Sequence, residues 1–315
     1  MKIAVLGAGG VGGYFGARLA QAGADVHLLA RGAHLRALIE RGLRVRSANG
    51  NLELRLPATD RVDDIGPSDY VLFCVKSLDT EVVAARLGPL LHEGTTVISL
   101  QNGVDNEEKI ARAVGPDRVV GGVAFIMSTI SEPGTIEHVG KLARIVFGEM
   151  DGLPSNRTER FRILCQEARI DAEVSPHIRS VLWNKFAFIC ALAGMTATVR
   201  LPLGAIRECD ESLQMAKHIV REVMAVAGAE GVALPPDTVD QAVGLAMKMD
   251  PGTFSSLHYD LTQGKPMELE ALHGTAVRLA RKHDLPVPMC EAVYAILRPW
   301  AVRNAQGYVP GNPVG

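Results

Sequence analysis

The chain has 315 residues, 47% of them hydrophobic and 22% charged, which suits a globular protein of about two domains at ~100–200 residues each. A formal net charge of −2 gives no reason to expect a nucleic acid or an anionic membrane as partner. Cys74, Cys165, Cys190, Cys209 and Cys290 lie far apart without metal-ligand spacing, and the nine histidines form no ligand pair. These features imply free thiols, a reducing cytoplasm and no metal. The first strand begins at residue 2, leaving no room for a signal peptide, and no apolar run is read as long enough to span a bilayer.

Lys2 to Leu6 is a β-branched apolar run suited to a strand buried on both faces. It breaks into Gly7-Ala8-Gly9-Gly10-Val11-Gly12, the G-x-G-x-x-G spacing, and then into an Ala-rich helix over roughly 11–22. Gly7 permits a tight turn, Gly9 lets backbone approach a pyrophosphate, and Gly12 lets helix and strand pack closely. The helix would aim its first amides, from Gly10 and Val11 onward, at the phosphates. Asp25 to Leu29 reads as the second strand. It ends at Arg31, where a site for an unphosphorylated ribose has Asp or Glu. A guanidinium there suits a 2′-phosphate and favours NADP(H), the alternative being a solvated loop charge.

Leu43–Val45 and Leu52–Leu56 flank an Asn-Gly turn and read as a hairpin, an excursion from the βα alternation. Tyr70–Val75, ending at Lys76, and Thr96–Leu100, ending at Gln101-Asn102, are further apolar strands. Ligands of parallel sheets bind beyond the carboxyl ends of the strands, so Arg31, Lys76 and Asn102 are expected on the cofactor edge. Val119–Ile126 continues the sheet, and Thr135–Val139 and Ala143–Phe147 read as two strands of an antiparallel extension. A helix over Arg157–Glu167 and a strand over Ala172–Val174 complete the first domain, assigned to residues 1–174.

From Ser175 the texture is helical, giving a second domain over 175–315. Ser175 as N-cap and Pro176 as first residue open a helix running to about Gly194. Ile178, Leu182, Ile189 and Ala193 form an apolar stripe on it, and Lys185 falls in that stripe. Such a lysine either snorkels to water or is a partly desolvated ammonium with a lowered pKa, able to deliver a proton near neutrality. Asp210–Gly228 and Asp237–Met249 are expected helices, and Phe254–Thr262 carries Ser255, Ser256 and Asp260. A helix starting near Met267 would place Glu268, Leu272, Thr275 and Leu279 on one face. If that face is buried, Glu268 needs a cation, and Lys185 is the candidate. The Gly-, Pro- and Asn-rich tail over 303–315 reads as loosely held.

Together GAGGVGG at 7–13, VKS at 75–77, QNG at 101–103, LWNKFA at 182–187, SSLHYD at 255–260 and MELEALHG at 267–274 resemble the ketopantoate reductase (2-dehydropantoate 2-reductase) family over nearly the whole chain. The resemblance implies a Rossmann-type α/β N-terminal domain, an all-helical C-terminal domain, and NADPH-dependent reduction of a small 2-oxo acid, the ketopantoate step of pantothenate biosynthesis. It implies that Lys76, helped by Arg31, binds the 2′-phosphate, that Ala124 touches the cofactor, and that Asn102 stands beside the nicotinamide ribose and substrate. By the same resemblance Lys185 is the proton donor, Glu268 places that lysine near the nicotinamide, and Ser256 meets the substrate carboxylate. Helical second domains of such reductases often pair, which makes a homodimer an open expectation. The chain departs from the family at Ile189 and Ala193, and less securely at Leu203, where ketopantoate-reducing members typically carry Asn. Those positions point to a less polar or bulkier 2-oxo acid, since an apolar site cannot select for a hydroxyl. A non-catalytic NADP(H) sensor is the alternative from another class.

Overall fold

The computed structural model describes residues 1–306. The expected loose tail therefore lies largely outside the described residues. By its contacts the chain divides into two units, residues 1–101 with 106–178, and residues 102–105 with 179–306.

In chain order the first unit comprises β1 (Lys2–Leu6), α1 (Gly10–Gln21), β2 (Asp25–Leu29), α2 (Gly32–Arg41), β3 (Leu43–Ser47), β4 (Leu52–Leu54), β5 (Ala58–Thr59) and β6 (Tyr70–Phe73). It continues with α3 (Thr80–Ala84), β7 (Thr96–Ser99), α4 (Asn106–Val114), β8 (Val119–Glu132), β9 (Thr135–Glu149), α5 (Asn156–Glu167) and β10 (Asp171–Val174). One mixed sheet runs in the order β4-β3-β9-β8-β7-β6-β1-β2-β5, with β10 added on β9. The glycine-loop strand β1 lies between β6 and β2, parallel to both. Its residues alternate between two cores: Ile3 and Val5 pack in one, Ala4 and Leu6 in the other. A strand with no polar face must be covered on both sides, and the two cores do this.

The hairpin does interrupt the βα alternation, β3, β4 and β5 following one another without an α-helix, yet it stays in the sheet. β3 pairs antiparallel with β4 and parallel with β9, so it extends the same sheet. The two strands expected over 135–147 are one, because β9 pairs with the same strand, β8, over residues 135–138 and again over 143–149. The far edge of β9 is shared, residues 135–138 taking β3 and residues 144–147 taking β10.

The second unit contains α6 (Ile178–Val199, its first residue counted with the first unit), α7 (Leu203–Arg207), α8 (Asp210–Ala229), α9 (Thr238–Lys248), α10 (Ser256–Thr262), α11 (Thr275–Lys282) and α12 (Pro288–Asn304). It has no strand among the described residues. Ser175 stands at the entry to α6, before the turn over residues 176–177. Its Oγ accepts from the His177 amide at 3.1 Å, a turn that precedes the first residue of α6. The helix also continues through Gly194, where a Cβ would stand 2.6 Å from His273 Nε2, so glycine serves close packing there and not termination. By length and hydropathy this helix is long and apolar enough to cross a membrane, a correction to the expectation above. Most of that stretch is buried, with Phe186, Ala187, Cys190 and Met195 in the second unit's core.

The helix expected from Met267 departs most from the sequence pattern. Glu270–Gly274 is a π-helical turn, with the Gly274 amide bonded to the Leu269 carbonyl at 3.0 Å, and regular α-helix starts only at Thr275. The Leu272 amide still bonds the Glu268 carbonyl at 3.2 Å, an α-type turn, so the extra residue falls between that pair and Thr275 and shifts the register of the expected face there. Such turns favour functional positions.

Candidate active site

In the first unit the glycine loop sits at the carboxyl end of β1. Gly7 has φ +94°, and a Cβ on it would meet the Cys74 carbonyl oxygen at 2.8 Å. Its amide and that of Ala8 both donate to the Leu29 carbonyl of β2. A Cβ on Gly12 would lie 2.2 Å from the Gly7 carbonyl oxygen and 2.8 Å from Val5, which explains the close contact of α1 with β1. A Cβ on Gly10 would strike the Ser128 backbone of β8 at 2.2 Å. Gly9 is different: a Cβ there meets nothing within 4 Å. Sterics inside the fold do not require a glycine at Gly9, whereas an open backbone face is what an approaching pyrophosphate needs. Gly9 is also the N-cap of α1, with no side-chain cap and no acid in the first turn, so the Gly10, Val11 and Gly12 end of the helix is electropositive. These residues fit a dinucleotide.

Arg31 and Lys76 follow the strands on either side of β1. Lys76 is exposed. Arg31 Nη2 donates to Asp79 Oδ2 at 2.6 Å, and that carboxylate is almost fully buried. The pair joins the loop after β2 to the loop after β6 and orients one edge of the guanidinium. Ala124 is buried in β8 opposite Ile145, its methyl in the first unit's core.

His34 of α2 was not singled out in the sequence. Its Nδ1 accepts from the Gly134 amide at the β8–β9 turn, at 3.0 Å. That leaves Nε2–H to donate to the Ala8 carbonyl of the glycine loop, at 2.9 Å. The ring is neutral in this arrangement, and burial lowers its pKa, the Ala8 carbonyl opposing. It ties the glycine loop to the β8–β9 turn.

In the second unit Lys185 Nζ donates to Asn102 Oδ1 at 3.0 Å. Burial lowers the ammonium to about 8, with the Glu268 carboxylate pulling the other way. The structure therefore brings Lys185, Asn102 and Glu268 together. Ile189 lies one turn beyond Lys185 and Ala193 a further turn, so their side chains share its face at about 6 Å per step along the axis. Ala193 is buried and Ile189 partly so, both against the second unit's core. Leu203 opens α7 and lines a cavity of about 40 Å³ with Phe188, Leu192 and Met195. Ser256 is the exposed first residue of α10. Its neighbour Ser255 is the buried cap, accepting from the His258 amide and from Thr196 Oγ1.

A family model described as Ketopantoate reductase PanE/ApbA matches residues 3–152, and one described as Ketopantoate reductase PanE/ApbA C terminal matches residues 177–301. A 2-dehydropantoate 2-reductase of Mesorhizobium japonicum is 33% identical, over 96% of this chain and 99% of that protein. An uncharacterized oxidoreductase of Bacillus subtilis, YkpB, is also 33% identical, over 95% and 98%. Among solved structures, a PanE/ApbA family ketopantoate reductase from Ralstonia eutropha superposes with a TM-score of 0.89 at 31% identity, over 96% of this chain and 99% of that one.

Proposed function

The chain belongs to the ketopantoate reductase family of oxidoreductases, and from that premise we propose that it reduces 2-dehydropantoate, or a related 2-oxo acid, to the 2-hydroxy acid with NADPH. The observation that carries the reading is the Lys185 ammonium, held at 3.0 Å by Asn102 and lowered to about 8. At neutral pH such a group is still charged but gives up its proton far more readily than a lysine in water.

When bound, a nicotinamide cofactor supplies the hydride that reaches the carbonyl carbon. Lys185 passes a proton from Nζ to the carbonyl oxygen as the C=O π bond breaks, and takes up another from water afterwards. Before transfer, its positive charge stabilises the alkoxide that develops. Asn102 Oδ1 fixes the ammonium's direction, and Glu268 keeps it protonated. Gly9 and the N-terminal amides of α1 take the pyrophosphate, while Arg31, aligned by Asp79, and Lys76 meet the 2′-phosphate. The absence of an acid at the end of β2 and the presence of Arg31 support NADP(H) over NAD(H). Ser256 would meet the substrate carboxylate. With all five cysteines free, the enzyme suits a reducing cytoplasm.

One observation favours a second reading of the substrate. Ile189 and Ala193 extend the face of Lys185 as hydrocarbon, and neither can bond a substrate hydroxyl. The test is NADPH oxidation, followed optically, with ketopantoate against less polar and bulkier 2-oxo acids. Turnover of ketopantoate with kcat/KM above ~10⁴ M⁻¹s⁻¹ upholds the first reading. A better substrate elsewhere in the panel upholds the second. Tight NADPH binding with no turnover by any member would make the chain a sensor and overturn both.

A further inference from the structure

Asn102 lies on a segment, residues 102–105, that forms neither helix nor strand and in which Gly103 takes φ +117°. Backbone of this kind does not hold an amide on an ammonium by itself. Two side chains of the segment anchor it. Val104 packs against the core of the second unit, and Asp105, 8% exposed, accepts at Oδ2 from Arg278 Nη2 at 2.7 Å and from Thr275 Oγ1 at 3.4 Å. A carboxylate this buried needs a cation, and Arg278 brings one from the exposed side of α11. Thr275 is the first residue of α11; its one hydroxyl proton is shared between Asp105 and the nearer Glu270 carbonyl at 3.0 Å, and its oxygen accepts from Arg278 Nη2 at 3.4 Å. Glu270 opens the π-helical turn two residues after Glu268. The two groups that flank Lys185 are thus joined through one polar junction.

We propose that Asp105, Thr275 and Arg278 are positioning residues, which keep the Asn102 amide on Lys185 in register with the turn that bears Glu268. None of them touches a reacting atom. The proposal rests on the reading of Lys185 as proton donor and deepens it. If the junction loosens, the ammonium loses an acceptor and the nearness of a carboxylate, both of which favour its charged form. Its titration then moves to lower pH, and the alkaline limb of kcat moves with it.

The variants are Asp105→Asn, Arg278→Ala and Arg278→Lys, the last restoring a cation without the planar fork. Arg278→Lys keeps a cation beside the buried Asp105 carboxylate and so keeps a folded protein to measure if Asp105→Asn or Arg278→Ala does not. Two readouts are taken on the full chain: kcat against pH with NADPH and ketopantoate, and the Lys185 resonance in ¹⁵N-lysine NMR, assigned with Lys185→Met. Expected are a roughly tenfold fall in kcat for Arg278→Ala, a Lys185 titration about half a unit lower or more, NADPH affinity within twofold of the parent, and partial recovery in Arg278→Lys. A lower melting temperature with an unmoved or raised Lys185 titration makes the cluster merely structural and overturns the proposal. The NMR titration needs no turnover, so a Lys185→Ala enzyme that still turns over would sink the proton-donor reading separately.

Discussion

Lys185 is kept charged where burial disfavours charge, and that has two measurable consequences. As the proposed acid it must be protonated to work, so kcat is expected to hold below pH 8 and to fall as pH rises through the value of about 8. The linkage to stability runs the other way. The folded pKa lies below the unfolded one, so the group favours folding most above the unfolded value, and that contribution is lost as pH falls through about 8. At neutral pH the charge costs up to about 3 kcal/mol, and Lys185→Met is expected to raise the urea midpoint while abolishing turnover. An unchanged midpoint would mean that Asn102 and Glu268 already offset the burial. At the positions one and two turns on, Ile189→Asn with Ala193→Asn is expected to raise kcat/KM for ketopantoate about tenfold, if hydroxyl recognition is what the site lacks. A fall for every 2-oxo acid would show those side chains serve packing alone. The sequence singles out Lys185 and Glu268 because each charge interrupts an apolar pattern. It does not single out Asp79, His34 and Asp105, because each is defined by a partner 48, 100 or 173 residues away.

Among elements, the glycine loop separates two uses of the same residue. Gly12→Ala forces a Cβ onto the Gly7 carbonyl, and a loss of at least ~2 kcal/mol in unfolding free energy is expected. Gly9→Ala has room, so the melting temperature should hold within ~2 °C while NADPH affinity falls about tenfold or more. Equal damage to stability from both would refute this division. His34→Ala removes the bond to the Ala8 carbonyl and is expected to weaken NADPH about tenfold, read by fluorescence titration. The G-x-G-x-x-G spacing located this loop but did not separate the roles, since spacing says nothing of what stands opposite a missing Cβ. Strand β9 was misread for a related reason. Gly140 has φ +78° and its neighbours are exposed, so the apolar pattern lapses while the ladder with β8 resumes beyond it. At Glu270–Gly274 a uniform 3.6 period was assumed, and an inserted residue in a turn leaves no mark on a hydrophobicity pattern.

At the scale of the whole molecule the division into an α/β part and a helical part was plain from the change of texture near Ser175. Acid sensitivity belongs to this scale. His273 is fully buried, and burial pushes it down to about 4, with the Cys190 carbonyl beside it opposing. Its neutral form stabilises the fold fully above the unfolded value of 6.5, and that contribution is lost as pH falls through about 4, roughly 3 kcal/mol in all. The urea midpoint is expected to drop over this window, and His273→Leu to flatten the drop. A variant as acid-sensitive as the parent would place the effect elsewhere.

Residues 102–105 give the chain a property that texture did not disclose. They come from the middle of the first unit's sequence yet count with the second by their contacts. A gene cut at codon 178 would therefore yield a C-terminal polypeptide that carries Lys185 and Glu268 but no acceptor from Asn102, its Arg278 facing no Asp105. The two halves cannot be exchanged as independent cassettes. A chimera that takes its helical half from a relative must inherit this loop from the same parent, or it joins Lys185 to a foreign acceptor.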